Sequence, residues 1–218
     1  MTGSVRKATL FAVCGLLAAS VAMAGPPDPS NSECPSPCIW VVGHNGVAGD
    51  PVGEYCVTVR DLNNVPITHS LVQISFSGCD LQLCPNQLDP AVAVNCVDQW
   101  VSKFTDVNGR ACFRVIGKSR PGLGCAGPPP GRAVVFFDGV YLCSPNAPTF
   151  DLVNEGAGEG LTGSDLSEWL HLFFNCSSPT QIDYDCDGVV SANDLSVFLG
   201  VFFGGGSALN CPPVAKCP

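Results

Sequence analysis

The chain contains 14 cysteines in 218 residues, and this density constrains its fold more than any other feature. A reducing cytosol does not keep so many cysteines paired, so the density indicates disulfides formed outside the cytoplasm. The cysteines form no Cys-x-x-Cys pair and have no neighbouring His at ligand spacing, which favours disulfides over a metal–thiolate site. We therefore expect an extracellular protein whose fold is stabilised by disulfides.

The N-terminus has the pattern of an export signal. Two basic residues precede an uncharged apolar run from Ala8 to Met23, which ends in the small-x-small sequence Ala22–Ala24. The run is about 16 residues, shorter than the ~20 that span a bilayer. We predict a signal peptide over 1–24, cleaved before Gly25, and a secreted or cell-surface protein without a membrane span. Loss of Cys14 leaves thirteen cysteines, an odd number that leaves one thiol either free or paired with another chain.

Charge and motifs exclude two broad functions. The net charge of −9 argues against a nucleic-acid partner, because binding to phosphates requires a basic surface. No Gly-x-Ser-x-Gly or His-Glu-x-x-His motif is present. The candidate carboxylate pairs for a glycosidase come from Asp61, Asp106 and Asp138. All three lie at strand ends or turns, where Asp is common for structural reasons. We expect no enzymatic activity.

The first half of the chain has the pattern of a β-sandwich. A flexible, Pro- and Ser-rich lead-in is predicted over 25–37, followed by strands over 38–148. Tyr55–Val59 alternates, and Ser70–Phe76 alternates with Val72, Ile74 and Phe76 on one face. Hairpin turns are predicted at Asp106-Val107-Asn108-Gly109 and at Asp138-Gly139. We expect the nine cysteines before residue 150 to pair within this domain, apart from at most one.

This stretch resembles bacterial Ig-like and carboxypeptidase-regulatory-like sandwiches. The resemblance lies in Val57–Asp61, Pro66-Ile67, Val72–Ile74, Thr105-Asp106 and Gly109–Ala111. Domains of this kind are usually spacers or adhesion modules, so the resemblance implies a fold and not a specific activity.

An internal repeat occupies the C-terminal region, predicted as a second domain over 149–218. Val153–Phe174 aligns without gaps on Ile182–Phe203. In each copy the large apolar residues recur at helical spacing, which predicts two short helices that bury each other's apolar stripes. The predicted stripes are Leu166, Trp169, Leu170, Phe173 and Phe174 in the first copy, and Leu195, Phe198, Leu199, Phe202 and Phe203 in the second.

The segment from Asp183 to Asp194 has the spacing of an EF-hand calcium loop, with Asp in place of Glu at the last position. Calcium takes six to eight oxygen ligands, and alternate side chains of a curling loop point to one centre. Glycine at the sixth position, Gly188, can adopt the positive φ of the sharp turn. The predicted Ca²⁺ ligands are the carboxylates of Asp183, Asp185, Asp187 and Asp194, the Val189 carbonyl and Ser191.

The first copy of the loop, Asn154–Asp165, is degenerate. Gly156 and Gly158 replace the carboxylates of the third and fifth positions, and Glu159 replaces the glycine. Two hypotheses follow for this copy: a rearranged loop that still binds calcium, or a loop that persists only as the packing partner of the second.

Paired loop–helix units with Asp at position 12 followed by Leu resemble a type I dockerin domain. The resemblance covers about 150–204 and implies a module that folds on calcium and docks onto a cohesin-like domain of another protein. In the family, contacts lie around loop positions 10 and 11, which here are Gly163 and Ser164 in the first copy and Ala192 and Asn193 in the second. The cysteines of this region depart from the family pattern.

Two functions are compatible with this organisation. The first is a secreted, non-catalytic protein that docks through a calcium-binding module onto an extracellular partner. The alternative is an accessory protein of polysaccharide binding or degradation, tethered by its dockerin. Exposed aromatic residues on one sheet face would favour the alternative, and the candidates are Trp40, Trp100, Tyr55 and Tyr141.

Overall fold

The computed structural model describes residues 25–41, 53–79, 81–85, 87, 89–119, 132–153, 161–176 and 180–203. These residues form mainly β-structure with a small helical part. The strands are β1 Glu54–Thr58, β2 Leu71–Ser75, β3 Leu81–Leu83, β4 Ala93–Asn95, β5 Trp100–Phe104, β6 Arg110–Arg114, β7 Gly117–Ser119, β8 Val134–Phe137 and β9 Val140–Cys143. The helices are α1 Gly163–Asn175, a 3₁₀ turn at Thr180–Ile182 and α2 Ala192–Phe203.

The strands form three antiparallel sheets. The largest has the order β4-β5-β2-β8-β9, and the pairs β1-β6 and β3-β7 form two smaller sheets. One apolar core draws on all three sheets, with Val57, Phe113, Ile74, Val135 and Leu81 among its buried members. This mainly antiparallel arrangement is compatible with the β-sandwich that the alternating sequence predicts.

Strand β2 shows why the alternation is informative. Val72, Ile74 and the following Phe76 are fully buried, whereas Leu71 and Gln73 remain partly exposed. Successive side chains of a strand point to opposite faces, so one face of β2 enters the core. The predicted division of this strand into two faces is confirmed.

One of the two predicted hairpins is correct and the other is wrong. Asp138 and Gly139 both have positive φ, as a tight two-residue turn requires, and join β8 to β9, which pair with each other. The turn at Asp106–Gly109 instead joins β5 to β6, which do not pair with each other. Strand β5 pairs with β2 and β4, whereas β6 pairs with β1. The Val59 amide donates to the Gly109 carbonyl at 2.8 Å, so this turn crosses between sheets.

The N-terminal segment lies along the edge of the sandwich. Its backbone pairs antiparallel with the end of β1 and the residues after it, through bridges of Pro27 with Asp61 and Glu33 with Thr58. The Asp28 amide donates to the carbonyl of residue 60 at 2.8 Å. The prediction of a flexible lead-in over 25–37 did not anticipate these contacts.

Residues 38–41 contribute to two hydrophobic clusters at once. Ile39 and Val41 are buried in the sandwich core, whereas Trp40 packs against a second cluster that contains Phe150 and the two helices. The backbone of this segment hydrogen-bonds to residues 146–149, with the Ile39 amide donating to the Asn146 carbonyl at 2.8 Å. A short extended segment therefore lies between the sandwich and the helical part, and its alternate side chains serve opposite sides.

Disulfides are part of the fold, as the cysteine density predicts. The described residues include Cys34–Cys143, Cys38–Cys186 and Cys56–Cys112, and three further cysteines are disulfide-bonded, namely Cys84, Cys96 and Cys176. The expectation that the early cysteines pair within the sandwich is wrong for Cys38. Its partner lies in the predicted calcium loop, because the segment that carries Cys38 borders the helical part.

The two helices bury a face that is rotated from the predicted one. Trp169 and Phe198 lie at its centre as expected, but Leu172 and Val201, absent from the predicted stripes, are also buried. The last residues of the stripes are exposed: Phe174 to 75% and Phe203 to 76%. The helices pack on Phe150 and Tyr184 as well as on each other, so the buried arc continues from residue 169 to 172 and from 198 to 201. No helix of the described segments has the length and apolar character of a membrane span.

Candidate metal centre

The segment from Asp183 to Asp194 forms a compact loop between the 3₁₀ turn and α2. The chain reverses direction through two residues of positive φ, Cys186 at 56° and Gly188 at 87°. A Cβ added at Gly188 would meet no atom within 4 Å, so glycine is favoured there by its backbone conformation and not by lack of space. The predicted role of Gly188 in the turn is confirmed.

Three of the predicted ligands converge. Carboxylate oxygens of Asp183, Asp185 and Asp187 all lie within 4.8 Å of one another. Each of the three also accepts a loop amide: that of Gly188 by Asp183 at 3.1 Å, that of residue 187 by Asp185 at 3.3 Å, and that of Val189 by Asp187 at 2.7 Å. These bonds orient the carboxylates toward a common point.

Asp183 is the member of the cluster whose position is hardest to explain without a cation. Its side chain is 1% exposed, and its Oδ1 atom has no hydrogen-bond partner among the described residues. Burial raises the pKa of its carboxyl, and the nearby carboxylates of Asp194 and Asp185 raise it further. A buried, unpartnered carboxylate oxygen costs free energy that a bound cation would recover.

Asp194 closes the loop from the first turn of α2. It is fully buried, and its Oδ1 accepts the Tyr184 amide at 2.7 Å while its Oδ2 accepts the Ser191 amide at 2.8 Å and the Ser191 hydroxyl at 3.3 Å. The carboxylate that the spacing assigns to the last ligand position thus ties both ends of the loop to the helix. Asp194 is not among the three converging carboxylates, and the Val189 side chain is exposed.

The described residues of the first copy reproduce the part of this arrangement at the start of the helix. Asp165, at the position equivalent to Asp194, is buried and accepts the amides of Leu152, Val153 and Thr162 at 2.7–2.9 Å. Together with the Thr162 side chain it forms a capping box at the start of α1. The loop between, 154–160, lies outside the described residues, as do the positions at which this copy departs from the calcium pattern. Both oxygens of Asp165 accept protein donors, as those of Asp194 do.

The loop from Asp183 to Asp194 is attached to the sandwich at several points. Cys186, between two of the clustered Asp residues, is bonded to Cys38. The indole N–H of Trp40 donates to the Tyr184 carbonyl at 2.8 Å, and the Tyr184 hydroxyl donates to the carbonyl of residue 149 at 3.0 Å. The Tyr184 ring stacks on Phe150 with centroids 4.2 Å apart. The junction has no local signal in the sequence, because nothing in the spacing indicates that residues 38–40 reach the loop.

The four residues predicted to contact a partner lie in the first turns of the helices. Gly163, Ala192 and Asn193 are exposed, and Ser164 is half-buried. The Ser164 amide donates to the Thr162 hydroxyl at 3.1 Å, and the Asn193 amide donates to the Ser191 hydroxyl at 3.1 Å. The repeat thus places equivalent small or polar residues at equivalent helix starts.

The carboxylates considered as catalytic pairs have structural partners instead. Asp61 and Asp106 each accept two backbone amides of their own turns. Asp138 accepts the Leu71 amide at 2.8 Å and the Ser70 hydroxyl at 2.7 Å. All three organise turns of the sandwich.

Of the aromatic residues considered for glycan binding, Trp40 and Tyr55 line one cavity together with Tyr184, and the other two lie elsewhere. Tyr55 is buried in the sandwich core, and Trp40 packs edge-on against Phe150. Tyr141 is exposed on β9, at one edge of the five-stranded sheet, and Trp100 is half-buried on β5. Glycan platforms need coplanar exposed rings, and these four lie on different elements.

A second group of potential ligands does not form a metal site. The Glu54 carboxylate lies close to the sulfurs of Cys56 and Cys112. These sulfurs are joined in a disulfide and cannot act as thiolates. Glu54 pairs with Arg114 at 3.1 Å.

Comparison with protein-family models, curated proteins and solved structures finds no match to this chain.

Proposed function

We propose that this protein is exported and binds one Ca²⁺ ion in the loop Asp183–Asp194. The observation that carries the proposal is the buried Oδ1 atom of Asp183, which lies without a hydrogen-bond partner beside two other carboxylates. Three like charges at such distances repel one another, and a divalent cation converts the repulsion into attraction. The disulfides support an extracellular location, where this cation is abundant.

The donor set favours calcium over other metals. The atoms available around the loop are carboxylate, carbonyl and hydroxyl oxygens, which suit hard cations, and the sulfur of Cys186 is held in a disulfide. The twelve-residue spacing and the positive φ of Gly188 match the loop geometry that wraps calcium. In the proposal, Asp183, Asp185 and Asp187 are the primary ligands, and Val189, Ser191 and Asp194 complete the coordination.

Calorimetric titration of the whole exported chain tests the calcium proposal. We expect one strong site per chain and loss of most of its heat in Asp183→Asn. Asp98→Asn is the matched control, because it removes the same charge from an exposed turn of the sandwich. Absence of calcium binding in the wild type would refute the proposal, and two equally tight sites would refute the assignment to the second loop alone.

We further propose that the C-terminal module docks onto another extracellular protein and that the chain performs no catalysis. The exposed helix starts at Gly163 and Ala192–Asn193 support a docking role by their position. The region after residue 150 has nine acidic residues and one lysine, so a partner with a basic or apolar groove is favoured. The resemblance to dockerins points to a cohesin-like partner.

Introducing a positive charge at the helix starts tests the docking proposal. Calcium-dependent capture of the partner by the immobilised chain should fall sharply in Ala192→Arg and Gly163→Arg, because arginine there repels a basic groove. The calcium heat should stay unchanged. Val107→Arg, on an exposed turn of the sandwich, is the matched control. Equal capture by all variants would show that the helix starts do not contact the partner.

A further inference from the structure

Gly25, the first described residue, forms a hydrogen bond with a residue far from it in the sequence. Its backbone nitrogen donates to Oδ2 of Asp61 at 2.8 Å. The Asp61 residue is 1% exposed, so this bond lies at a covered position on the edge of the sandwich. The hydrogen bond joins the start of the described chain to the turn that follows β1.

The turn at Asp61 needs only one of its two carboxylate oxygens. Oδ1 accepts the Asn63 amide at 2.9 Å and the Val65 amide at 2.8 Å. Asp106 forms the same turn with its own Oδ1, accepting the amides two and four residues later at 2.8 and 2.9 Å. The comparison shows that such a turn is complete without Oδ2, so the bond of Asp61 to Gly25 is an additional contact.

Gly25 is also the residue that follows the predicted cleavage site. Hydrolysis of the Ala24–Gly25 bond by a signal peptidase adds water across it: the hydroxyl goes to the Ala24 carbonyl carbon and a hydrogen to the Gly25 nitrogen. At neutral pH the new amine takes up a proton and becomes an ammonium group. The donor that faces Asp61 then carries a positive charge.

The surroundings suit such a group. A Cβ added at Gly25 would lie 3.3 Å from Asp61 Oδ2, closer than most side-chain contacts, so glycine allows the close approach. Two charged residues lie close to this contact along the chain: the Arg60 guanidinium donates to the Asn64 carbonyl, and the Asp28 carboxylate accepts the amide of residue 30. The Asp61 carboxylate accepts directly from the Gly25 nitrogen, which makes it the counter-ion of an ammonium group there.

We propose that cleavage before Gly25 creates an ion pair between the new α-ammonium group and the Asp61 carboxylate, and that this pair fixes the N-terminal segment on the sandwich. The segment is already aligned by the bridges at Pro27 and Glu33 and by the Asn31 side chain, which donates to the Asp61 carbonyl at 2.9 Å. Processing therefore completes the fold at this edge as well as removing the signal. The inference rests on the export within the proposed function and not on calcium.

Two measurements on the exported full-length product test this inference. N-terminal sequencing should read Gly25-Pro26-Pro27, and a different start would overturn it. Unfolding should then be compared between the chain that starts at Gly25 and one that retains Ala24, which keeps the charge but moves it by one residue. Retention of Ala24 leaves only an amide as the donor to Asp61 and removes the ion pair, so we expect it to lower the folding equilibrium constant about tenfold.

The origin of that loss is identified by changing Asp61. In Asp61→Asn the Ala24 extension should have no effect, whereas in Asp106→Asn, the matched turn, it should keep its full effect. An equal loss in all backgrounds would overturn the ion pair. If Asp61→Asn does not fold, a second measurement on the wild type and Asp106→Asn replaces it: the rate at which a reagent acylates the α-amine. This rate should be slower in the folded than in the unfolded chain. Equal acylation rates would also overturn it. Repeating the series in chelator separates this inference from the calcium proposal.

Discussion

Removal of the Cys38–Cys186 disulfide should affect both stability and calcium binding. The bond spans 148 residues, but Cys34–Cys143 already spans most of that interval. The additional loop that Cys38–Cys186 closes is therefore about 47 residues, for which the chain-entropy relation gives about 4 kcal/mol. We expect the double variant Cys38→Ser/Cys186→Ser to lose about this much free energy of unfolding.

The same variant should bind calcium more weakly. Cys186 lies between Asp185 and Asp187, so the disulfide restricts the backbone of the ligand-bearing loop before the ion arrives. Freeing one residue costs about 1–2 kcal/mol when calcium must order it again, which corresponds to a Kd raised about tenfold. Denaturant unfolding in saturating calcium and calorimetric titration measure the two effects.

A second disulfide provides the control. Cys56–Cys112 closes 56 residues between β1 and β6, so the relation again gives about 4 kcal/mol. Cys56→Ser/Cys112→Ser should match the first variant in lost stability but leave the calcium Kd unchanged. An unchanged Kd in the Cys38→Ser/Cys186→Ser variant would refute the argument from loop ordering. A stability loss below about 1 kcal/mol would refute the argument from loop closure.

Three further predictions follow from packing, backbone geometry and charge. Phe198→Ala should lower the free energy of unfolding by about 3–5 kcal/mol in denaturant, because the ring is fully buried. Phe203→Ser, at a residue that is 76% exposed, should change it by no more than about 0.5 kcal/mol, and similar losses in the two variants would contradict the burial. Gly188→Ala should cost about 1 kcal/mol and weaken calcium binding in calorimetry, because φ is 87°; unchanged binding would refute the need for this turn. The Gly25 hydrogen bond lowers the pKa of Asp61, so its carboxylate stabilises the fold above the unfolded pKa of about 4 and this contribution disappears as pH falls through the folded value. Asp61→Asn should thus lose stability at pH 7 and approach the wild type in acid, and a difference that does not change with pH would refute the ionic role.

Local patterns in the sequence predicted the local structure well. Alternation in β2, the Asp138-Gly139 hairpin and the positive φ of Gly188 all depend on a few neighbouring residues, and the structure confirms each. The turn at Asp106–Gly109 was misassigned because its sequence favours a tight turn but does not determine which strands it joins. Strand pairing is a non-local property, and here it separates β5 from β6.

The missed features all lie where distant segments meet. Cys38, Trp40 and Gly25 have no local motif that announces their partners, because each partner is 36 or more positions away. The helical stripe was shifted for the same reason. The stripe assumed that the helices contact only each other, whereas Phe150 and Tyr184 add a second packing surface and bury Leu172.

The two-sided segment at residues 38–41 imposes an order on the maturation of the chain. Synthesis proceeds from the N-terminus at roughly 5–20 residues per second, so Cys38 emerges on the order of ten seconds before Cys186. During that interval the cysteines that lie between Cys38 and Cys186 in the sequence are available as incorrect partners. The native bond can form only after Cys186 has emerged. Any incorrect bond that Cys38 forms before then must be isomerised. Slow elongation or early oxidation should therefore trap species in which Cys38 is mispaired.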